Sequence, residues 1–291
     1  MIRARALRKS FGKHDVLQGI DLDVAPGEVV GLIGPNGAGK TTLMSCLLGF
    51  LRPDGGSITI DDRPNDDLDV RRMTGFVPER MNFDRRATGW EFLRYMARLA
   101  GVPRAEVDAK ADAMLHLLGI EDARNRRLSQ YSRGMLQRIG MCQALIHEPR
   151  YIFLDEPASG LDPNGVLVVR DLITKQKMRG AAVLLNSHQL SEVEKICDRV
   201  LFLQKGLIAN EEQLRHGDHI VVAIKLLVGS YDAEVVMKIA GVSPREHVLI
   251  VSVENNRALA DLVRDLAASG AGVIDVRPQQ VDLENLFRGA Q

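Results

Sequence analysis

Gly34-Pro35-Asn36-Gly37-Ala38-Gly39-Lys40-Thr41-Thr42 sets three glycines, a lysine and two hydroxyls within nine positions. Glycines let successive backbone N–H groups turn inward around phosphate oxygens, and a lysine ammonium reaches the terminal phosphates. The threonine directly after the lysine suits a magnesium ion shared with those phosphates. The chemistry is nucleotide binding, with residues 34–42 around the phosphates, Lys40 on the charge that develops there, and Thr41 on the metal. Asp155 and Glu156 form a second group, two adjacent carboxylates directly after Tyr151-Ile152-Phe153-Leu154. Phosphoryl transfer to water needs one acid near the metal and another to orient and deprotonate the water, and these are the roles expected of Asp155 and Glu156.

Such side chains work only on rigid elements, and the flanking sequence supplies them. Residues 28–33 are an apolar run bounded by Pro26-Gly27 and Gly34, the pattern of a fully buried strand. From 40 to 48, Leu43, Met44, Leu47 and Leu48 recur at helical spacing, and Gly49 stands where a helix would stop. The glycine-rich loop therefore has the strand before it and the helix after it that phosphate binding requires. A second buried strand, 151–154, delivers its two acids to the carboxyl edge of the sheet, where ligands bind in open parallel sheets. A third, 181–185, ends near Ser187 and His188. Alternating strands and helices predict an α/β fold with a largely parallel sheet. Around His216-Gly217-Asp218 the texture changes, dividing residues 1–215 from a tail, 216–291. The tail predicts strands at 220–228, 248–253 and 273–276 and helices at 232–239, 257–268 and 282–287.

Just before the acidic strand, Tyr131-Ser132-Arg133-Gly134-Met135-Leu136-Gln137-Arg138 resembles the signature sequence of the ATP-binding cassette (ABC) ATPases. The resemblance implies a P-loop NTPase cassette with a helical signature subdomain over about residues 1–215, followed by a small α+β accessory domain. It implies that Ser132 and Gly134 bind the γ-phosphate of ATP held by another subunit, and hence a head-to-tail dimer, of like or unlike chains, with two composite sites. Other family elements follow in order. Phe11 matches the aromatic that stacks on adenine, Ser159-Gly160-Leu161-Asp162 the D-loop that crosses the dimer interface, and His188 the switch histidine on the γ-phosphate. Taken singly, Phe11 reads as an ordinary aromatic and His188 as a structural strand-end residue; their order carries the match. After Gly75-Phe76-Val77-Pro78 this chain has Glu79 where the family usually has glutamine, and its oxygen is expected on magnesium. The signature also departs from the pattern: Tyr131 replaces leucine, Arg133 the first of two glycines, and Met135 glutamine. The Ser-basic-Gly-Met form resembles exporter-type subunits. The implied function is ATP hydrolysis, with ATP and Mg2+, powering export through a separate transmembrane permease from the cytoplasmic face of the membrane.

The bulk of the chain fits. Lys plus Arg and Asp plus Glu are 38 each in 291 residues, so no net field draws the chain to nucleic acid, and none is expected as partner. Cys46, Cys142 and Cys197 lack the spacing of a metal site or the density of a disulfide scaffold, and Cys142 shares a helical stripe with Met135, Ile139 and Ile146. No apolar run is long enough to span a membrane, and the start of the sequence lacks a signal-peptide pattern. Two rival classes fit the sequence less well. A P-loop kinase does not need the signature segment. A soluble ABC-type ATPase acting on ribosomes or nucleic acid normally has two cassettes or a long coiled-coil insertion, and the interval from Thr42 to Ser132 holds no sustained heptads.

Overall fold

The computed structural model describes residues 1–214, 220–253 and 255–278, and the chain divides into two compact units after Gln213. In the first unit the strands are β1 (Ile2–Phe11), β2 (His14–Val24), β3 (Val29–Ile33), β4 (Gly55–Ile60), β5 (Arg63–Pro64), β6 (Thr74–Val77), β7 (Tyr151–Asp155), β8 (Ala182–Asn186), β9 (Arg199–Gln204) and β10 (Leu207–Gln213). The helices are α1 (Lys40–Leu47), α2 (Leu68–Arg72), α3 (Gly89–Leu99), α4 (Val107–Leu117), α5 (Arg133–Leu145), α6 (Pro163–Met178) and α7 (Leu190–Ile196).

The site rests on a six-stranded sheet ordered β10-β9-β3-β8-β7-β6, in which only the β9–β10 pairing is antiparallel. Every residue of β3, β7 and β8 is buried, which is why these strands read as unbroken apolar runs and not as alternation. Register aligns Leu32 and Asp155 with Asn186, and Val77 with Leu154, so four neighbouring strands end together at one edge.

A second sheet, β2-β1-β4-β5, is antiparallel throughout. The sequence reading did not anticipate it. Register shifts after Ala4, and Ala6 at φ +46°, break the alternation that would announce β1. Its inward residues Ile2, Leu7, Leu17 and Ile20 share one core with Leu32, Leu43 and Phe153. Helices α3, α4 and α5 pack on one another as a helical arm. A capping box of Thr88 and Glu91 starts α3, and the Ser132 hydroxyl caps α5, accepting from the Met135 amide at 3.2 Å. All three cysteines are buried and free; burial pushes the Cys46 thiol up to about 11 and raises Cys142 and Cys197 as well, so none is poised as a thiolate.

In the second unit β11 (Ile220–Leu226), α8 (Ala233–Ala240), β12 (Val248–Val253), α9 (Asn256–Ala268) and β13 (Val273–Pro278) form an antiparallel sheet, β12-β11-β13, with two helices. Val222, Ile224, Leu226, Val236, Leu249, Val251 and Leu266 make its own core. The strand expected over 220–228 stops at Leu226, because the Ser230 amide turns back to the Leu227 carbonyl at 3.2 Å. Asp232 caps α8 and Asn255 caps α9. The helix expected at 282–287 and the boundary residues 216–218 lie outside the described residues.

Candidate functional site

The loop from Gly34 to Gly39 folds back because its glycines leave room. A Cβ on Gly34 would overlap the Leu203 carbonyl oxygen, and Gly39 takes φ +107° with its Cβ position 2.9 Å from the Val16 carbonyl. Lys40 Nζ donates to the carbonyls of Gly34 and Pro35 at 2.6 and 3.1 Å, closing the loop on itself. No side chain caps α1, whose N-cap is Gly39, so its first N–H groups are free for an anion. Burial pushes the Lys40 ammonium below its ordinary value, against the opposing pull of Glu156 and Asp155.

At the end of β7, Asp155 is 6% exposed and accepts a short hydrogen bond from Asn186 Nδ2 at the end of β8. Burial raises its carboxyl; the Asn186 bond and Lys40 oppose that rise, and Glu79 adds to it. Glu156 follows at φ +52°, a left-handed angle costly for a side-chain-bearing residue, and its amide is held by the Asn186 carbonyl at 2.9 Å. Its carboxylate meets His188 Nδ1 at 2.8 Å. Burial raises Glu156, His188 opposes by hydrogen bond and charge, and Asp155 adds to the rise. Gln137 of α5, itself buried, donates to the Pro157 carbonyl at 3.2 Å and so braces the turn after Glu156.

These groups surround a cleft of about 710 Å³. Of the residues expected at the site, Phe11, Asn36, Gly37, Gly39, Lys40, Thr41, Thr42, Glu79, Glu156 and His188 line it. Phe11 is 52% exposed at its mouth, as a stacking platform must be. Gly34, Pro35 and Ala38 shape the loop from behind, and Asp155 sits beneath. Ser132, Gly134 and Asp162 do not line the cleft. Asp162 caps α6 through the Gly165 amide at 3.2 Å and pairs with Arg138 at 3.0 Å. Arg133 donates to Ser159 at 3.1 Å, so the start of α5 and the 159–162 loop lie side by side.

Sequence reasoning missed Val16 and Asn186 and did not place Ser159 on the cleft. Asn186 had a signal, a lone amide ending an apolar strand. Val16 had none.

Residues 17–159 match the family model described as ABC transporter. The chain is 33% identical over 302 aligned positions to the ABC transporter ATP-binding protein YdbJ of Bacillus subtilis, covering 99% of this chain and 94% of that protein. The chain belongs to the ABC transporter ATP-binding family. An ABC transporter ATP-binding protein of Nostoc is 46% identical over 192 residues, 65% of this chain, and one of Synechocystis is 44% identical over 196. The cassette spans about half the length of those two relatives, 57% and 55%. Among solved structures, the ATP-binding subunit of an ABC transporter aligns over 92% of this chain and 99% of its own, with 25% identity and TM-score 0.70. A dimeric bacterial ABC transporter cassette aligns over 74% of this chain and 99% of its own, with 26% identity and TM-score 0.68. A post-hydrolysis dimer of that cassette is bound to ADP and Pi. Among the described residues no helix is long and apolar enough to cross a membrane.

Proposed function

We propose that this cassette hydrolyses ATP to drive transport, as export, through a separate transmembrane permease, working as a head-to-tail dimer on the inner face of the membrane. The observation that carries the reading is that Lys40, Glu79, Glu156 and His188 converge on one cleft while Ser132 and Gly134 line no part of it. Phe11 would stack on adenine, and the N–H groups of residues 36–42 with Lys40 would hold the phosphates. Glu156 would take a proton from a water whose oxygen attacks the γ-phosphorus, with ADP as leaving group. His188, hydrogen-bonded to Glu156, orients that carboxylate and offers its other ring nitrogen to the γ-phosphate. The exporter reading rests on Ser132-Arg133-Gly134-Met135.

The donor set fits magnesium. Thr41, Glu79 and Asp155 present only hard oxygens, as suits an ion that keeps waters and phosphate oxygens. Asn186 Oδ1, beside Asp155, is a buried acceptor without a partner, consistent with a water of that ion's shell. Bound there, magnesium would neutralise charge developing on the phosphates.

Glu156→Gln keeps the shape of the side chain and removes the base. ATP should then bind and hold a dimer while hydrolysis is nearly abolished, read by sedimentation and phosphate release. Near-normal turnover by the purified variant would remove Glu156 from this role. Purification from membranes with the permease attached tests the transport half of the reading.

A further inference from the structure

Tyr131 stands where the resembled signature has leucine, and its extra hydroxyl has a seat. The residue is 7% exposed, and Oη donates to the Ala123 carbonyl at 2.9 Å. The ring lies against Gly89, the first residue of α3, where a Cβ would overlap Oη and lie 3.0 Å from Cζ. Gly89 has no left-handed backbone angle to require a glycine, so the requirement is space for the tyrosine.

The surrounding backbone is sewn to the same place. The Gly89 and Trp90 amides donate to the Arg126 and Arg124 carbonyls at 3.2 and 2.8 Å, and those of Leu128 and Ser129 to Ala87 and Arg85 at 2.9 and 3.1 Å. The Tyr131 amide donates to Leu128 at 3.2 Å. The start of α3 and residues 124–129 are therefore one piece. Residues 80–88 lead into it from Glu79 on the cleft, and Ser132, the cap of α5, leaves it one peptide bond after Tyr131.

We propose that Tyr131 is a positioning residue: keyed into Gly89 and tied to Ala123, it fixes the direction in which Ser132 and the start of α5 face an ATP held by a second subunit. The inference rests on the composite-site reading above. A leucine could fill part of the space but would lose the tie from this side chain to the Ala123 carbonyl, which would keep only the Arg126 amide at 2.9 Å, and a small misplacement of a phosphate-binding group is costly.

The test uses the full chain in a Glu156→Gln background, comparing Tyr131→Phe, Tyr131→Leu, Gly89→Ala and the Gly89→Ala/Tyr131→Leu pair. Each variant should bind a fluorescent ATP analogue within about twofold of the parent, because the cleft is elsewhere. Tyr131→Phe should weaken the ATP-driven dimer, measured by sedimentation, about fivefold, the effect of losing one intramolecular hydrogen bond. Gly89→Ala should weaken it further, and adding Tyr131→Leu should restore it to the level of Tyr131→Leu alone, since the collision is with the phenol. With Glu156 restored, Tyr131→Phe should lower kcat and leave KM nearly unchanged. A parent dimer that Tyr131→Phe leaves undiminished, whatever the change in melting temperature, overturns the inference, as does a Gly89→Ala defect that Tyr131→Leu fails to rescue. If the parent itself does not dimerise with ATP, the composite-site reading falls and this inference with it.

Discussion

In the cleft, polar groups are held by the chain itself. Lys40 closes on two carbonyls, Asp155 takes the Asn186 amide, and Glu156 holds His188. Each sits at or just beyond a buried strand of one sheet. The signature segment is braced just as firmly, by Tyr131, by the Ser132 cap, by Gln137 and by Arg133 on Ser159, yet neither Ser132 nor Gly134 lines the cleft. The Ser132 hydroxyl accepts from Met135 and donates to no group among the described residues, and the first turn of α5 carries no acid. A helix start without acids suits an anion. The difference supports the proposed division of the site, one half finished in one chain and the other prepared for a second.

The strongest way to break that contrast is to separate the halves. Lys40→Ala and Ser132→Arg should each reduce ATPase activity by on the order of 100-fold, as loss of a preorganised phosphate contact does. Mixed dimers should recover a measurable fraction, since one composite site then keeps both groups. Equal silence of well-formed mixed dimers and the pure mutants would show that both groups serve the same chain's nucleotide.

Glu79 tests the cleft side. A carboxylate binds magnesium more strongly than an amide, but it brings charge toward Asp155 and the γ-phosphate. Glu79→Ala should lose about tenfold in kcat, and Glu79→Gln should stay within a few-fold while needing more magnesium. A titration of the metal decides it; identical curves for all three proteins would take Glu79 out of metal handling.

The phosphate loop and the acid pair were legible because each is contiguous in the chain, whereas Phe11, Glu79 and His188 were read from the family resemblance. One loop carries its own glycines, lysine and hydroxyls, and one apolar run carries its own acids. What stayed hidden depends on pairing across distance. Asn186 matters through Asp155, and Tyr131 through Gly89, and neither pairing leaves a periodicity to read. The antiparallel sheet stayed hidden for a related reason, since its bulges erase the alternation that marks a half-buried strand. Family resemblance named Tyr131 as a departure. Only the packing gives it work.

Glu156 offers a smaller effect with a defined sign. Burial raises its carboxyl above the unfolded value, so the charged form opposes folding, and the protein gains stability from this group as pH falls through its pKa. Glu156→Gln should therefore raise the melting temperature of the nucleotide-free protein near neutral pH, by about 2 to 4 °C if the buried charge costs about 1 kcal/mol. That gain should shrink on acidification. In the active protein the same shift makes hydrolysis fall on the acid side at a higher pH than an ordinary glutamate would give, because the base must be ionised. A stability gain independent of pH would mean that the charge of Glu156 is not its source.

The smallest effect belongs to the second unit. Phe11, the earliest residue on the cleft, and His188, the latest, both precede Leu214, and the second unit builds its core from its own strands and helices. Ending the chain at Gln213 cuts outside that core and leaves β10 paired with β9 through register Gln213 to Arg199. Arg199 anchors this edge from within the first unit, bonding Glu28 at 2.9 Å, Glu211 at 2.7 Å and the Asp23 carbonyl at 2.6 Å. The shortened protein should therefore fold and bind ATP within about twofold of the full chain, as independent units do. ATP-driven dimerisation is the readout that can move, since a tail that stabilises the pair would weaken it when lost. Failure of the shortened chain to bind nucleotide would show that the cleft depends on contacts beyond Gln213, and the contrast between a finished half and a prepared half would have to include the tail.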